Sequence, residues 1–305
     1  MAAVSILRPG MFSTVQDLGR WGFQSRGVPV SGALDWHSHR LANRLLGNAS
    51  AMATLEVTLM GPQMQFEADT VFAVTGADFR LMLNDAPIEM NRPVEAASGA
   101  ILKFGERLRG ARAYVAVAGG IDVPEILGSR STHVLTGLGG HYGRALKTGD
   151  ALRIGVRGNG QGVIAPQPSP LTPSHSAAFG AKLRAIPSDT RLFAHLTSQR
   201  YRVSPQSDRM GYRLEGAPVG EAPTGELIST AVPTGAIQVP PTGQPILLMN
   251  DHATTGGYAI AGTVITADLP IAGQLAPGDW IEFEACSIRT ADAELRRRED
   301  ALGAA

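Results

Sequence analysis

Short apolar runs recur along the chain and alternate with segments rich in Gly, Pro and polar residues. Runs of this kind, rich in Val, Ile, Leu and Phe, are typical of β-strands, and the Gly and Pro between them mark turns. The runs are Val71–Thr75, Ala100–Phe104, Ala113–Ala118, Ala151–Val156, Ala236–Val239, Pro245–Met249, Thr263–Ala267 and Trp280–Glu284. Many short strands with regular turn signals predict a mainly β protein built as sandwiches or barrels.

One segment of the first half departs from this pattern and predicts a short helix. In Asp35–Gly47, Leu41 and Leu45 are spaced so that they share one helical face. Asp35 is the predicted N-cap, and the terminal glycine is suited to ending the helix. The Ala-, Glu- and Arg-rich tail, residues 291–305, predicts a second helix that is short and exposed.

A change of composition in the middle of the chain predicts two domains. The segment Gly158–Pro173 is crowded with Gly, Pro, Gln and Ser, and it has the character of a linker. A Gly-Asp turn precedes a terminal strand on each side of it, at Gly149 and at Gly278, which favours a duplicated barrel. The predicted organisation is an N-terminal barrel (1–157), a linker (158–190), a C-terminal barrel (191–290) and a tail (291–305).

Composition narrows the class of protein. Lys+Arg and Asp+Glu are equal at 27 each, so no basic excess supports nucleic-acid binding, and a near-neutral surface is a hint of a protein partner. Cys286 is the one cysteine, which suits a reducing compartment. Neither a signal peptide nor a membrane-spanning apolar stretch is evident, so we expect a cytoplasmic protein that does not bind membranes.

Several well-known catalytic motifs are absent from the sequence. There is no G-x-x-x-x-G-K-[ST] phosphate loop, so we expect any ATP to bind mainly elsewhere. There is no HExxH or CxxC, which predicts no metal site, and no G-x-S-x-G elbow, which argues against a nucleophilic hydrolase.

The segment Asn250–Ile260 brings acid, imidazole, hydroxyls and bare backbone together after an apolar run. Asp251 and His252 form a candidate acid–base pair, because imidazole titrates near neutral pH. The amides of Gly256 and Gly257 are candidates to stabilise an anionic oxygen. The alternative is a hairpin in which Asp caps a turn and Gly-Gly supplies positive φ.

Three further segments hold polar residues outside any amphipathic period, a pattern typical of loops. In Thr14–Arg20 and Gly27–Asp35 the alternative interpretation is a turn former and a helix cap. In Gly119–Gly140 an Arg beside hydroxyls and glycine amides suits a carboxylate or phosphate, and the alternative is a crossing loop. In Ser207–Leu214 a plain Asp–Arg pair is the alternative. The candidates are Gln16, Asp17, Arg20, Ser31, Asp35, Asp122, Arg130, Ser131, Thr132, His133, Asp208, Arg209 and Tyr212.

Long strings in the same order along the chain carry a family resemblance. They include TVQDLGRWGFQSRGVPVSGALDWHSHRLANRLLGN, LEVTLMGP, AYVAVAGGIDVPEILGSRST, GLGGHYGRALKTGD, SDRMGYRLEG, GAIQVPPTGQPILLMNDHATTGGY and LAPGDWIEF. These strings resemble the biotin-dependent carboxyltransferase-like family, which includes the C subunit of 5-oxoprolinase, KipA and allophanate hydrolase subunit 2. The resemblance runs from about Thr14 to Phe283. It implies two cyclophilin-like β-barrel domains, which agrees with the pattern of strands and turns.

The resemblance also implies partners and a reaction. It favours a subunit of an ATP-dependent 5-oxoprolinase complex that converts 5-oxo-L-proline to L-glutamate together with the KipI-like B subunit of that enzyme and its A subunit. One alternative is a carboxyltransferase component of a biotin-dependent urea carboxylase or allophanate system. The chain contains neither a biotin attachment motif nor an ATP-grasp domain, which weighs against a complete urea carboxylase. Another alternative is a KipA-like regulatory binding protein that antagonises an inhibitor of a sensor kinase.

The resemblance places a small-molecule site on TVQDLGR, GVPVSGALD and DHATTGGY, and we expect these segments to meet in one groove completed by a partner. Two departures from the family pattern D-x-Q-T-T-G-G-Y-P bear on it: Ala253 stands for a glutamine and Ala259 for a proline. The expected catalytic residues are Asp251, His252 and Asp17. The expected substrate-binding residues are Gln16, Ser31, Arg130, Arg209, Tyr212, Thr254, Thr255, Gly256, Gly257 and Tyr258.

Overall fold

A computed structural model describes residues 2–156, 180–220 and 228–303. The chain divides into two compact units, and residues 22–30 group with the second unit rather than the first. The predicted linker segment Gly158–Pro173 lies outside the described residues. Each unit is built mainly of antiparallel strands, so the predicted mainly β fold with two barrel-like sheets is confirmed.

The first unit is a sheet of 10 strands in the part of the chain that the structure describes, and its main path runs β2-β3-β8-β4-β1-β10-β9. Strand β5 pairs with β8 and also with β6 and β7. The strands are β1 (Ala3–Arg8), β2 (Phe12–Gln16), β3 (Thr54–Thr58), β4 (Gln63–Phe66), β5 (Thr70–Leu83), β6 (Ala86–Ile88), β7 (Pro93–Ala96), β8 (Ile101–Val117), β9 (Ile121–Asp122) and β10 (Ala151–Ile154).

Two long strands form the centre of this sheet. β8 joins two apolar runs that the sequence pattern predicted as separate strands, because the polar residues 105–109 between them continue the pairing with β5. This pairing has register shifts between Gly76 and Leu81, which let the long ribbon bend. Val, Ile, Leu and Phe side chains of the inner face, such as Phe66 stacked on Phe72, fill the core.

Helix α1 (Trp36–Leu45) packs against β5 and β8 in the first unit and confirms the predicted helix. Asp35 is its N-cap, as predicted: its Oδ1 accepts from the backbone N–H of Ser38 (2.9 Å) and its Oδ2 from the Ser38 hydroxyl (2.6 Å). The buried face of the helix carries Ala42 and Leu45. The cap fixes where the helix begins and hence the course of the segment before it.

The second unit is a closed barrel with strand order β11-β18-β15-β16-β13-β12-β19. The pairing of β11 with β19 is parallel and the other pairings around the barrel are antiparallel. A small sheet of β14 and β17 accompanies the barrel. The strands are β11 (Gly180–Pro187), β12 (Tyr201–Val203), β13 (Gly211–Glu215), β14 (Thr230–Ala231), β15 (Ala236–Val239), β16 (Ile246–Leu248), β17 (Thr255–Gly256), β18 (Ala259–Val264) and β19 (Trp280–Ala285).

The helices of the second unit are α2 (Thr190–Thr197), α3 (Leu269–Gly273) and α4 (Ile288–Gly303). The sequence pattern missed α2, although Asp189 caps it by accepting from the backbone of Arg191 and Leu192. The predicted helix of the tail is confirmed as α4. It is not wholly exposed, because Arg298 and Leu302 are buried.

Two predicted boundaries differ from the structure. Strand β11 (Gly180–Pro187) lies in the segment 158–190 that the sequence pattern assigned to the linker. A strand forms there because Ala181, Leu183 and Ala185 alternate into the core. The predicted strand Thr263–Ala267 ends at Val264. Residues Thr266–Asp268 form a 3₁₀ helix instead, since the buried Asp268 turns back to bind the backbone and side chain of Arg184.

No helix within residues 2–156, 180–220 and 228–303 is both long enough and apolar enough to cross a membrane.

A buried histidine on helix α1 predicts that acid destabilises the fold. His39 is fully buried between the hydroxyl of Thr54 (2.8 Å) and the carbonyl of Ser50 (3.1 Å), and burial lowers its pKa from 6.5 to about 4. Because the unfolded chain takes up the proton at a higher pH than the folded chain, stability is lost as pH falls through the window between these values. We therefore expect protonation of His39 to lower the unfolding free energy by about 3 kcal/mol between pH 7 and pH 4.

Denaturant unfolding of His39→Gln across this pH range checks the expectation, because glutamine keeps a hydrogen-bonding group and does not titrate. The variant should lose about 3 kcal/mol less than the wild type on acidification. His195→Gln, at an exposed position of α2, serves as the control and should follow the wild type. Equal acid sensitivity of His39→Gln and the wild type would contradict the assignment.

Candidate functional site

The turn after β16 in the second unit holds the first group of candidate residues. Backbone bonds tie this turn to the segment before β13: Met249 N–H donates to Met210 O and Asp251 N–H to Arg209 O (both 2.9 Å). Inside the turn, His252 N–H donates to Met249 O at 3.0 Å. The antiparallel pairing of β13 and β16 therefore continues past the ends of both strands and brings Arg209 opposite Asp251.

Asp251 and Arg209 form a buried ion pair. Arg209 Nε donates to Asp251 Oδ2 (2.9 Å) and Nη2 donates to Oδ1 (3.2 Å), and each side chain is only 7% exposed. A fork-to-fork pair of this kind fixes both side chains and holds the two segments together. The plain Asp–Arg pairing left open by the sequence is present, with Asp251 rather than Asp208 as the partner. Asp208 instead caps the local turn by accepting from Met210 N–H.

His252 is buried beside this pair and has two defined contacts. Its Nδ1 lies 2.6 Å from the carbonyl oxygen of Ala253, and its Nε2 lies 3.2 Å from the hydroxyl of Thr234. Because a carbonyl only accepts, Nδ1 carries the hydrogen and Nε2 is left as the acceptor. Burial lowers the pKa of His252, while the Ala253 carbonyl and Asp251 act in the opposite direction. The imidazole is therefore neutral at pH 7, with its basic nitrogen toward Thr234.

The remaining residues of this turn lie nearer the surface. Thr255 and Gly256 form β17, which pairs with Thr230 and Ala231 of β14. Neither Gly256 nor Gly257 has a positive φ. The hairpin interpretation, in which Gly-Gly supplies a positive φ, therefore does not explain the glycines here. A Cβ on Gly256 would instead fall 2.3 Å from Nε2 of Gln238, so close approach of a side chain requires the glycine.

Exposure separates the candidate substrate-binding residues of the second unit. Thr254 and Gly257 are half-buried, Tyr258 is 48% exposed, and Thr255 is exposed. Tyr212 is only 2% exposed and lies on β13 within the closed barrel. The turn residues are thus accessible to a ligand, whereas Tyr212 belongs to the packed core.

In the first unit, Asp17 organises the segment that follows β9. Its Oδ1 accepts from the hydroxyls of Ser129 (2.7 Å) and Ser131 (2.5 Å) and from Gly19 N–H (2.8 Å), and its Oδ2 accepts from Arg130 N–H (2.5 Å). Asp17 is 6% exposed. A buried carboxylate with its oxygens engaged in this way holds the Ser129–Ser131 backbone in place.

The two arginines of the first-unit candidate set serve the same segment. Arg20 is fully buried and donates to the carbonyl of Ser131 at 2.6 Å. Arg130 donates from Nε to the carbonyl of Val123 and from Nη1 to the carboxylate of Glu125, both at 3.1 Å. The guanidinium of Arg130 is accessible enough to exchange Glu125 for a ligand anion, since its side chain is 34% exposed.

Gln16 and Ser31 carry polar atoms that the described part of the chain leaves without a hydrogen bond. Gln16 Nε2 donates to Thr14 and to the carbonyl of Thr132, whereas its buried Oε1 has no partner there. The hydroxyl of Ser31 is buried and also lacks a partner. Ser31 has φ 57°, an uncommon conformation for a residue other than glycine. Strain and an unsatisfied hydroxyl at one residue are typical of a ligand-binding position.

Sequence reasoning missed a buried network next to this segment. Glu56 Oε2 accepts from Leu34 N–H (2.9 Å) and from the hydroxyl of Tyr114 (2.7 Å), and that hydroxyl accepts from Asp35 N–H (2.8 Å). Burial and the nearby Glu56 raise the pKa of Tyr114. The network fixes the backbone between Ser31 and helix α1. The signal that points to it is a glutamate inside the apolar strand β3.

Thr234 and Gln238 of the second unit were also missed, because both lie in or beside the apolar run Ala236–Val239. No group of His, Cys, Asp and Glu that could hold a metal ion occurs among the residues described by the structure.

The geometry of both units agrees with comparisons to known proteins. The family model described as carboxyltransferase domain, subdomain A and B, matches residues 26–285. The chain belongs to this carboxyltransferase-domain family. The match spans both barrel-like units, so the family resemblance of the sequence strings is confirmed.

Two relatives of known name and a solved structure align with nearly the whole chain. The C subunit of 5-oxoprolinase from Escherichia coli (strain K12) is 39% identical over 97% of this chain and 94% of that protein. The protein of the same name from Haemophilus influenzae (strain ATCC 51907 / DSM 11121 / KW20 / Rd) is 38% identical over 97% of this chain and 95% of that protein. The crystal structure of the Kluyveromyces lactis urea carboxylase superposes with a TM-score of 0.90 at 34% identity, covering 98% of this chain and 29% of that chain.

The Arg209–Asp251 pair predicts a large loss of stability when one partner alone is neutralised. Asp251→Asn removes the carboxylate from a buried, hydrogen-bonded pair with Arg209, so we expect the unfolding free energy to fall by about 3 kcal/mol. The double variant Arg209→Met/Asp251→Leu removes both charges and should recover a large part of that loss. Glu89→Gln, which breaks an exposed pair with Arg92, is the control and should change stability by less than about 1 kcal/mol.

Denaturant unfolding of these variants makes the comparison. If Asp251→Asn is as stable as Glu89→Gln, the ion pair does not hold the turn, and the positional role of Asp251 is wrong.

Proposed function

We propose that the chain is one component of an ATP-dependent 5-oxoprolinase complex, which opens the lactam ring of 5-oxo-L-proline to give L-glutamate. The observation that carries this proposal is the alignment with the C subunit of 5-oxoprolinase from Escherichia coli (strain K12), at 39% identity over 97% of this chain and 94% of that protein. The chain is less similar to the Kluyveromyces lactis urea carboxylase, at 34% identity. Hydrolysis of a cyclic amide is therefore favoured over carboxyl transfer.

A complex of this kind divides the chemistry among its components. We propose the KipI-like B subunit of the enzyme and its A subunit as partners within a cytoplasmic hetero-oligomer, with ATP as a co-substrate shared among them. The phosphate-binding residues then belong mainly to the partners. The residues of this chain bind the amide and move protons.

The ring-opening step needs a group that first accepts a proton and then returns it, and we propose His252 for this role. Hydrolysis adds the hydroxyl of water to the carbonyl carbon, breaks the C–N bond of the ring and leaves the second hydrogen of water on the ring nitrogen. A base must take a proton as water attacks, and an acid must return it to the nitrogen. The neutral imidazole of His252, with Nδ1–H donating to Ala253 O and Nε2 acting as acceptor, provides both in turn. Thr234 lies next to Nε2 and relays the proton.

The other expected residues divide into positioning and binding roles. Asp251 and Arg209 hold the turn, and Asp17 holds the Ser129–Ser131 backbone, so none of the three transfers protons in this proposal. Tyr212 supports the barrel core. We propose that ligand contacts in the second unit come from its accessible residues Thr254, Thr255, Gly256, Gly257 and Tyr258. In the first unit, the groups open to a ligand are the unsatisfied atoms of Gln16 and Ser31 and the partly exposed guanidinium of Arg130.

A carboxyltransferase component of a urea carboxylase is the second candidate, and the TM-score of 0.90 to the Kluyveromyces lactis urea carboxylase favours it. The biotin of such a system would arrive on a separate carrier. The turn that holds His252 would then bind urea, which is also a small amide. The two candidate functions therefore share a class of ligand and differ in the reaction.

Co-expression with the genomic neighbours, followed by assay of L-glutamate release from 5-oxo-L-proline with ATP, tests the proposed function. The complex should release glutamate, and His252→Asn should reduce kcat by about a hundredfold. Because burial lowers the pKa of His252 below 6.5, kcat/KM of the wild type should be level above that pH and decline only at lower pH.

Biotin-dependent carboxylation of urea without glutamate release would support the second candidate. A stable complex with the KipI-like protein and no turnover of either substrate would contradict both enzymatic proposals. Full activity of His252→Asn, with an unchanged pH profile, would remove His252 from the mechanism.

Ser31 offers a test of the first-unit ligand-binding residues. Ser31→Gly relieves a left-handed backbone and removes the unsatisfied hydroxyl, so we expect a gain of about 1 kcal/mol in unfolding free energy. The same variant should raise KM for whichever substrate of the complex, 5-oxo-L-proline or ATP, the first unit contacts, because a hydrogen bond to that ligand is lost. Asn91→Gly, at an exposed position that also has a positive φ (59°), is the control for the backbone effect alone.

Unfolding curves and steady-state kinetics of the reconstituted complex measure both effects. An unchanged KM in Ser31→Gly would exclude the hydroxyl from substrate binding, whatever its effect on stability.

A further inference from the structure

Gln238 is a buried polar residue in the middle of an apolar strand. It lies on β15, in which every residue is buried, and its own side chain is 6% exposed. Its Nε2 atom is buried and has no hydrogen-bond partner within the described residues. A buried amide without a partner is costly in a native protein, so its presence at this position needs a reason.

The Gln238 amide lies against the candidate turn. A Cβ on Gly256 would fall 2.3 Å from Gln238 Nε2 and 3.4 Å from Cγ1 of Val232, so the missing side chain of the glycine makes room for the amide. Gly256 is itself half-buried, and its neighbour Thr255 is exposed. The Nε2 donor of Gln238 therefore lies against Gly256, whose neighbour in the chain is exposed to solvent.

The groups that the structure places against this amide are uncharged. Gly256 offers only backbone, and Val232 beside it is apolar. On the neighbouring strands Gln238 pairs with Ile246 and Ile260, which are also apolar. A neutral donor in such surroundings suits a neutral acceptor, and the carbonyl oxygen of an amide is a strong one.

We propose that Gln238 binds the ligand, its side-chain N–H donating to the carbonyl oxygen of a small amide held at the Thr254–Tyr258 turn. Gly256 is the residue that keeps this donor in reach. The identity of the amide as 5-oxo-L-proline rests on the proposed function, whereas recognition of an amide carbonyl rests on the geometry of Gln238.

Gln238→Met separates a ligand-binding role from a structural one. Methionine has a similar shape and lacks the polar atoms, so removal of an unsatisfied donor should leave the melting temperature unchanged or raise it. In the reconstituted complex, KM for 5-oxo-L-proline should rise about tenfold with a smaller change in kcat, because a substrate hydrogen bond is lost. Gly256→Ala should raise KM in the same way, because its Cβ displaces the amide.

Gln244→Met is the matched control. Gln244 also lies in the second unit and also has a buried oxygen without a partner among the described residues, but its Nε2 donates to the carbonyl of Gly216. This variant should leave KM unchanged. A lower melting temperature for Gln238→Met with unchanged KM would overturn the proposal and assign Gln238 a structural role.

A direct measurement keeps the inference independent of turnover. The side-chain amide resonances of Gln238, identified by their loss in Gln238→Met, are followed in the full chain as 5-oxo-L-proline, 2-pyrrolidinone, urea or L-proline is added. The probes with an amide carbonyl should shift these resonances, and L-proline, which has a carboxylate and no amide, should not.

The probes also distinguish the two proposals. If the complex releases no glutamate but 2-pyrrolidinone or urea shifts the Gln238 resonances, the proposed function fails and the inference stands. If glutamate is released and no amide probe shifts them, the proposed function stands and the inference is wrong.

Discussion

The ion pair between Arg209 and Asp251 is the constraint on which the candidate site of the second unit depends. It joins the segment before β13 to the turn after β16, and both of its side chains are buried. With Asp251 fixed, the next residue can place its imidazole between the Ala253 carbonyl and the Thr234 hydroxyl. The polar turn is thus held by a charge pair and carries a neutral imidazole.

In the first unit, hydrogen bonds to buried carboxylates hold the backbone near the candidate residues in place. Asp17 binds the hydroxyls and backbone of the Ser129–Ser131 segment, and Glu56 with Tyr114 fixes the backbone ahead of helix α1. Both carboxylates are buried and use their hydrogen-bonding capacity on loop backbone. The residues with unsatisfied atoms lie close by in the chain: Gln16 directly precedes Asp17, and Ser31 precedes the backbone that Glu56 and Tyr114 bind.

Much of the fold follows from the sequence because it depends on local patterns. Apolar runs bounded by Gly and Pro predicted strands such as β15 and β19, and Asp35 predicted the start of α1. The pattern failed where distant contacts decide the outcome: the 3₁₀ helix at Thr266–Asp268 exists because Asp268 binds Arg184, which is far away in sequence.

The candidate site was predictable in part for the same reason. The cluster at Asp251 and His252 is visible in sequence because polar residues interrupt an apolar strand end. The ion pair of Asp251 was not visible in sequence, because its partner Arg209 lies 42 residues away, before another strand. Gln238 was overlooked because nothing in the string Ala236–Val239 shows that its amide meets Gly256.

The central claim is that a charge pair fixes the turn and that His252, buried beside this pair, is neutral and presents Nε2 as its acceptor. Long-range ¹H–¹⁵N correlation spectra of the full chain at pH 7 measure this state directly, with the His252 signals identified by their absence in His252→Asn. The account predicts a neutral ring with the hydrogen on Nδ1. A charged imidazolium, or a neutral ring with the hydrogen on Nε2, would contradict it.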